Sequence, residues 1–252
     1  MTTTAAIRSE WTKFWSVRST GWGLAGAVVL MLVVVVPSAT SLAYNRDTEE
    51  SAAGLVAGGT FFLAQCAVIA LASLFIAGEY ATGSIRATLQ WVPVRHRMLA
   101  AKASVLAPVL FVLGIVAAAV AIAVATPLMD GYGRPASAGE VIQACAGNGA
   151  YFALTGVLSL GIGTALRSVA VSITVSFLVM LMSAMVFGSL GLGVADYMPG
   201  VAGASALVAS GQPNPVSGSV PPYPSWAGLL ILAAWTAAAL AVGHEVLRRR
   251  DA

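Results

Sequence analysis

The chain has 252 residues, 58% hydrophobic and only 9% charged, with a formal net charge of +3 and a mean hydropathy of +0.87. Those proportions exclude a soluble globular domain. Apolar runs of about 20 residues, the length that crosses a hydrocarbon core as a helix, recur along the sequence, so the expected fold is an all-α, polytopic integral membrane protein.

Residues 5–18 place Ile7, Trp11, Phe14 and Trp15 at helical spacing, with Arg8, Glu10, Thr12 and Ser16 on other faces. This pattern predicts an amphipathic interfacial helix inside a cytoplasmic segment, residues 1–20. Trp11, Phe14 and Trp15 are its expected headgroup-level anchors, and Lys13 and Arg18 are long enough to reach anionic phosphates of membrane lipids. The alternative is a signal-peptide n-region followed by a cleavage site at Ser41-Leu42-Ala43. Against it, the leading segment is long, patterned and partly acidic, and the run from Gly21 to about Ala43 is long enough to span.

The remaining chain, residues 21–252, reads as one membrane domain with six spans, at about 21–43, 55–77, 104–126, 144–166, 169–193 and 226–246. The second contains only Gln65 as a strong polar group, and the third carries Pro108 near its expected start, where a helix tolerates proline best. Ser137 with Glu140 three residues on reads as a capping box before the fourth span, and Gly147-Asn148-Gly149 predicts a bend within it. Gly156, Gly161 and Gly163 in the fourth span and Gly188, Gly191 and Gly193 in the fifth suit close helix packing, within one subunit or between two. Between the fifth and sixth spans, residues 196–212 include an apolar stretch too short to cross. It either dips into the outer leaflet and returns, buried against protein, or forms an external loop.

Charge placement fixes the orientation. With the N-terminus inside, every lysine and arginine except Arg46 and Arg134 falls on inner segments, while Asp47, Glu49, Glu50, Asp130, Glu140 and Asp196 fall outside. Both termini are therefore expected in the cytoplasm, with the protein multi-pass in a cell inner (plasma) membrane.

No Gly-rich phosphate loop and no acidic metal cluster is present. No cofactor, metal site or nucleic-acid partner is expected, and no enzymatic activity within this chain. Ser210 lies in the outer loop and His96 and His244 near the inner face, so no nucleophile and base share a depth. Cys66 and Cys145 read as buried free thiols. The central turns of the spans hold no lysine, arginine, aspartate or glutamate, which disfavours an ion-coupled carrier.

The longest polar, basic segment between two apolar runs is Gly78–Lys102. Its residues Glu79, Gly83, Ser84, Arg86 and Leu89, followed by Pro93, Arg95 and then Lys102, resemble the loop between the second and third spans of type-two ABC transporter permeases. Ser84 stands where threonine is commoner. Ala165-Leu166-Arg167-Ser168 and Met198-Pro199-Gly200 are similar to the turn before the fifth span and the insert before the sixth in actinobacterial members. The resemblance implies a permease subunit paired with a second permease, identical or homologous, and with two copies of a separate ABC ATPase. It implies that 78–102 is the coupling loop, with Glu79, Gly83, Ser84, Arg86, Leu89, Pro93, Arg95 and Lys102 as the coupling residues. The residues are compatible with that: Ile85, Leu89 and Val92 form an apolar stripe on a short helix, flanked by Arg86, Arg95 and Arg97. Export of a hydrophobic or amphiphilic drug, lipid or peptide follows as the expected function. A gradient-driven secondary transporter and a non-transporting ABC-like sensor or assembly component are the alternatives.

Overall fold

The structure is a computed structural model and describes residues 3–45, 50–85, 88, 90, 94–129, 132–190, 193–209, 211–214 and 216–249. It is helical, and six of its helices are long and apolar enough to cross a membrane. Helix α1 (Thr3–Ser16) leads directly into α2 (Arg18–Asn45). Next come α3 (Leu55–Ala81), α4 (Arg95–Leu128), α5 (Ala138–Leu166), α6 (Val169–Ser189), the short α7 (Pro199–Ser205) and α8 (Ser225–Arg249). Single π-helical turns interrupt α3 at Thr60–Ala64 and α6 at Leu178–Met182.

Helix α5 is the centre of the bundle, with 67% of its apolar window buried, whereas α6 buries 18%. The hydroxyl of Ser137 accepts from the Glu140 backbone N–H while the Glu140 carboxylate accepts from the Ser137 N–H, so the expected capping box is present. At its other end α5 stops on Arg167, whose φ of 56° is left-handed, and α6 begins two residues later. The expected short turn is there, with the Arg167 guanidinium 5.3 Å from the Tyr80 ring centroid.

At Gly147-Asn148-Gly149, where a bend is expected, α5 continues as α-helix without a break. These glycines let backbones touch. A Cβ on Gly149 would lie 2.9 Å from the Phe111 carbonyl oxygen of α4, and one on Gly147 would lie 2.8 Å from the Ala206 carbonyl oxygen. Asn148 uses the closeness: its Nδ2 donates to the Gly114 carbonyl at 2.8 Å, and its Oδ1 accepts from the Thr60 hydroxyl at 2.7 Å. Five residues further along α3, the Tyr151 hydroxyl donates to Gln65 Oε1 at 2.7 Å. All four side chains are fully buried, which makes the bonds expensive to lose in lipid.

Small residues also join α5 to α8, where a Cβ on Gly161 would meet Ala239 backbone at 2.7 Å, and one on Gly243 would meet the Gly161 carbonyl at 2.6 Å. Gly188 and Gly193 face open space instead, and Gly191 lies outside the described residues.

Helix α4 starts nine residues before the expected span, so Arg95–Lys102 is helix rather than loop and Pro108 is interior. At 34 residues it is about 51 Å long, well beyond a hydrocarbon core of about 30 Å. The segment after α6 inserts into the bundle. Every residue of α7 is buried, and a Cβ on Gly203 would lie 2.5 Å from the Tyr151 ring. Buried Asn214 pins the returning chain through Nδ2 to the Val201 carbonyl at 2.8 Å. Within 196–212, residues 199–207 are thus buried against protein.

Each end of the bundle has its own chemistry. One end gathers α1, the α3–α4 turn, the α5–α6 turn and the last turn of α8, and with them every described lysine and arginine except Arg134. Arg134 sits at the other end, where it pairs with Glu140.

Candidate functional site

The site that the fold builds at the basic end begins with α1. Ala6, Glu10 and Phe14, spaced four residues apart and so on one face, are all at most 3% exposed. Phe14 packs edge-on against Phe75 of α3, ring centroids 5.1 Å apart. This corrects its expected role: Phe14 is a core residue, not a lipid anchor. Trp11 and Trp15 do face outward, each about half exposed, and stack edge to face at 5.9 Å.

The acid on the buried face of α1 completes a closed ion ring. Lys102 of α4 has no exposed surface; its Nζ donates to Glu10 Oε2 at 2.6 Å and to Glu79 Oε1 at 2.8 Å, and lies 4.4 Å from the Phe75 centroid. Lys13 Nζ donates to Glu10 Oε1 at 2.8 Å and Glu79 Oε1 at 3.2 Å. The Thr88 hydroxyl accepts from Lys13 at 2.9 Å and donates to Glu79 Oε2 at 3.2 Å. Two lysines and two glutamates leave the ring neutral. Each charge has two partners, the condition under which burying ions is tolerated. The ring ties together three parts of the chain: α1, the end of α3 and the start of α4.

Two of the expected coupling residues thus face inward: Lys102 is sealed inside the protein and Glu79 is mostly covered, one on each side of the loop. Arg95 is also engaged internally, donating through Nη1 to the carbonyls of Leu247 and, at 2.8 Å, Arg248, where it caps the end of α8. Ile85 is 3% exposed and belongs to the core, so it seats the loop on its own bundle. Arg86, Leu89, Val92 and Pro93 lie outside the described residues. Gly83 and Ser84 are exposed. Gly83 has φ +73°, a left-handed conformation suited to glycine, and the Ser84 hydroxyl is 3.0 Å from that of Thr82. Of the loop's described residues, Ile85, Thr88 and Gln90 are helical.

The partners that sequence reasoning missed are Glu10 and Thr88, along with the inward direction of Lys13. One signal was available: an acid four residues from both Ala6 and Phe14, on the face that buries them.

Burial alone would lower the Lys13 pKa, but hydrogen bonding and attraction from Glu10, then Glu79, outweigh it and hold the ammonium above its ordinary 10.5. A base whose folded value is raised stabilises fully below its unfolded value and loses that contribution as pH rises through the folded one. Thermal midpoints in detergent should therefore be insensitive to this group between about pH 7 and about pH 10 and fall above it, with a smaller fall in Lys13→Arg. An equal fall in the variant would show that Lys13 is not the group responsible.

Among the described residues no group of three or more His, Cys, Asp or Glu is placed to hold a metal ion. Comparison with protein-family models finds none that matches the chain, and no curated protein matches it.

Proposed function

We propose that the chain is the membrane-spanning permease subunit of an ATP-driven ABC exporter for a hydrophobic or amphiphilic substrate. In this reading it works with two copies of a separate ATPase and with a second permease subunit. The basic end lies in the cytoplasm of a cell bearing the protein in its inner (plasma) membrane, as the positive-inside bias favours. The observation that carries the reading is the ion ring. A loop that receives a push transmits it only if its base is stiff, and here both helices flanking the loop are locked to each other and to α1 through Lys102 and Glu79.

The same geometry decides which residue tests it. Substitutions at Glu79 or Lys102 would disturb the fold itself, whereas Gly83 is exposed, has nothing within 4 Å of where a Cβ would stand, and adopts a φ that proline cannot. Gly83→Pro should thus change the loop and leave the bundle intact. The expected result is that the wild-type chain co-purifies with an ABC ATPase expressed beside it, and that Gly83→Pro lowers association or ATP hydrolysis about tenfold or more, a loss of about 1.4 kcal/mol in coupling. A wild-type chain that binds no ATPase would refute the proposal. So would full association and hydrolysis in Gly83→Pro.

A further inference from the structure

A cavity of about 770 Å³ opens at the end of the bundle away from the ion ring. Its walls are residues 50–54 ahead of α3, Arg134, the first turns of α5 at Glu140 and Gln143, and the chain after α7 at 207–209 and 212–213. We infer that it is a binding site for an organic cation carrying a protonated primary amine, with the ammonium on the Glu50 carboxylate and the hydrocarbon part against residues 207–209. The inference is independent of any ATPase and of the proposed transport.

An ammonium has three donors, no acceptor and one positive charge, so its site must offer uncommitted acceptors around an unmatched negative charge. Three ionised side chains line the cavity, and two of them match each other: the Arg134 guanidinium donates to both oxygens of Glu140, to Oε2 at 3.3 Å. Glu50 is the third. Its carboxylate is exposed, lies against Gly54 and has no hydrogen bond or ion pair among the described residues. The backbone beneath it is held, because the Glu50 carbonyl accepts from the Arg134 N–H at 3.1 Å.

Two neutral acceptors stand beside that charge. Ser51 is 4% exposed, yet its hydroxyl lines the cavity and pairs with nothing among the described residues; a covered hydroxyl left in that state gains from any donor that a ligand brings. Gln143, three residues from Glu140 and so on the same face of α5, donates through Nε2 to the Val208 carbonyl at 2.6 Å. That bond holds the amide in place and leaves Oε1 open.

Other occupants fit less well. A carboxylate or phosphate would meet Glu50 while the cation of the lining, Arg134, is already engaged by Glu140. A divalent metal ion needs more charged oxygen ligands than one free carboxylate supplies. Neither would use the apolar wall at Ala53, Val208, Ala209 and Pro213, which suits a short hydrocarbon body. The volume falls within the range of about 300–1,000 Å³ that holds small ligands.

The purified full chain in detergent is titrated calorimetrically at pH 7.5 with n-hexylammonium, 1-hexanol and hexanoate, each corrected with a detergent blank. Wild type should bind the ammonium about fivefold more tightly than the alcohol, the scale of one partly exposed ion pair, and hexanoate no better than the alcohol. Glu50→Gln, at an exposed and unpaired side chain, should bring the ammonium down to the level of the alcohol. Ala209→Phe, on the exposed part of the wall, should weaken both by filling the cavity. Glu245→Gln, which removes the same charge at the basic end, should keep the preference. Equal binding of ammonium and alcohol by wild type would overturn the inference, and so would a preference that survives in Glu50→Gln.

Discussion

Lys102→Met is expected to destabilise the protein by about 3–5 kcal/mol, because it leaves two buried carboxylates sharing the single remaining ammonium of Lys13. The two carboxylates are 3% exposed at Glu10 and 13% at the Glu79 side chain, so water cannot replace the lost partner. Adding Glu10→Gln to Lys102→Met removes the uncompensated charge and leaves a neutral Lys13–Glu79 pair. The double variant should therefore be more stable than Lys102→Met alone, with a coupling of about 1–3 kcal/mol in a double-mutant cycle. Thermal unfolding in detergent measures both. Additive losses would mean that the two residues do not share a network.

Gly114→Val is the second large effect. A Cβ at this position would stand 2.5 Å from the Asn148 carbonyl oxygen and 2.7 Å from the Gly149 Cα, and neither backbone atom is free to move aside. Helices α4 and α5 must separate, and with them go the Asn148–Gly114 and Thr60–Asn148 hydrogen bonds. Overpacking contributes about 1–3 kcal/mol and each lost bond about 1 kcal/mol, so a total near 3–5 kcal/mol is expected. Gly188→Val, at a site with nothing within 4 Å, should change stability by no more than about 0.5 kcal/mol. If the two variants unfold at the same temperature, the close crossing of α4 and α5 is wrong.

The contrast between those glycines shows where the sequence is readable and where it is not. Six spans are legible because a membrane-crossing helix needs a long uninterrupted apolar run, a property of the local chain. A glycine pair in such a run has one signature and two uses, a bend or a close crossing, and only the partner helix decides between them; at Gly147–Gly149 the partner is α4 together with the inserted segment after α7. Hydropathy likewise ends α4 where the apolar stretch ends. The helix continues through Arg95–Lys102 because its polar turns are held by the ring and by the cap on α8.

The candidate site was half legible. Glu79 and Lys102 stood out as charges flanking a loop, and both do matter to it. Their inward direction was hidden because the partner that buries Lys102 is Glu10, 92 residues earlier, and no local pattern links the two. Phe14 was misplaced for a related reason: on α1 the aromatic residues look alike, and only the position of Phe75 separates the buried ring from the exposed Trp11 and Trp15.

If the ion ring locks the basic end, α1 and the helix ends flanking the α3–α4 turn move there as one rigid body. Spin labels on exposed Thr12 and Thr82, in a chain with Cys66 and Cys145 replaced by serine, measure it directly through the distance distribution between them. A single narrow distribution in the wild-type background that broadens in Lys102→Met is the predicted result. A broad or two-peaked distribution with the ion ring intact would contradict it, since a loop base that moves freely of α1 could not pass on a push.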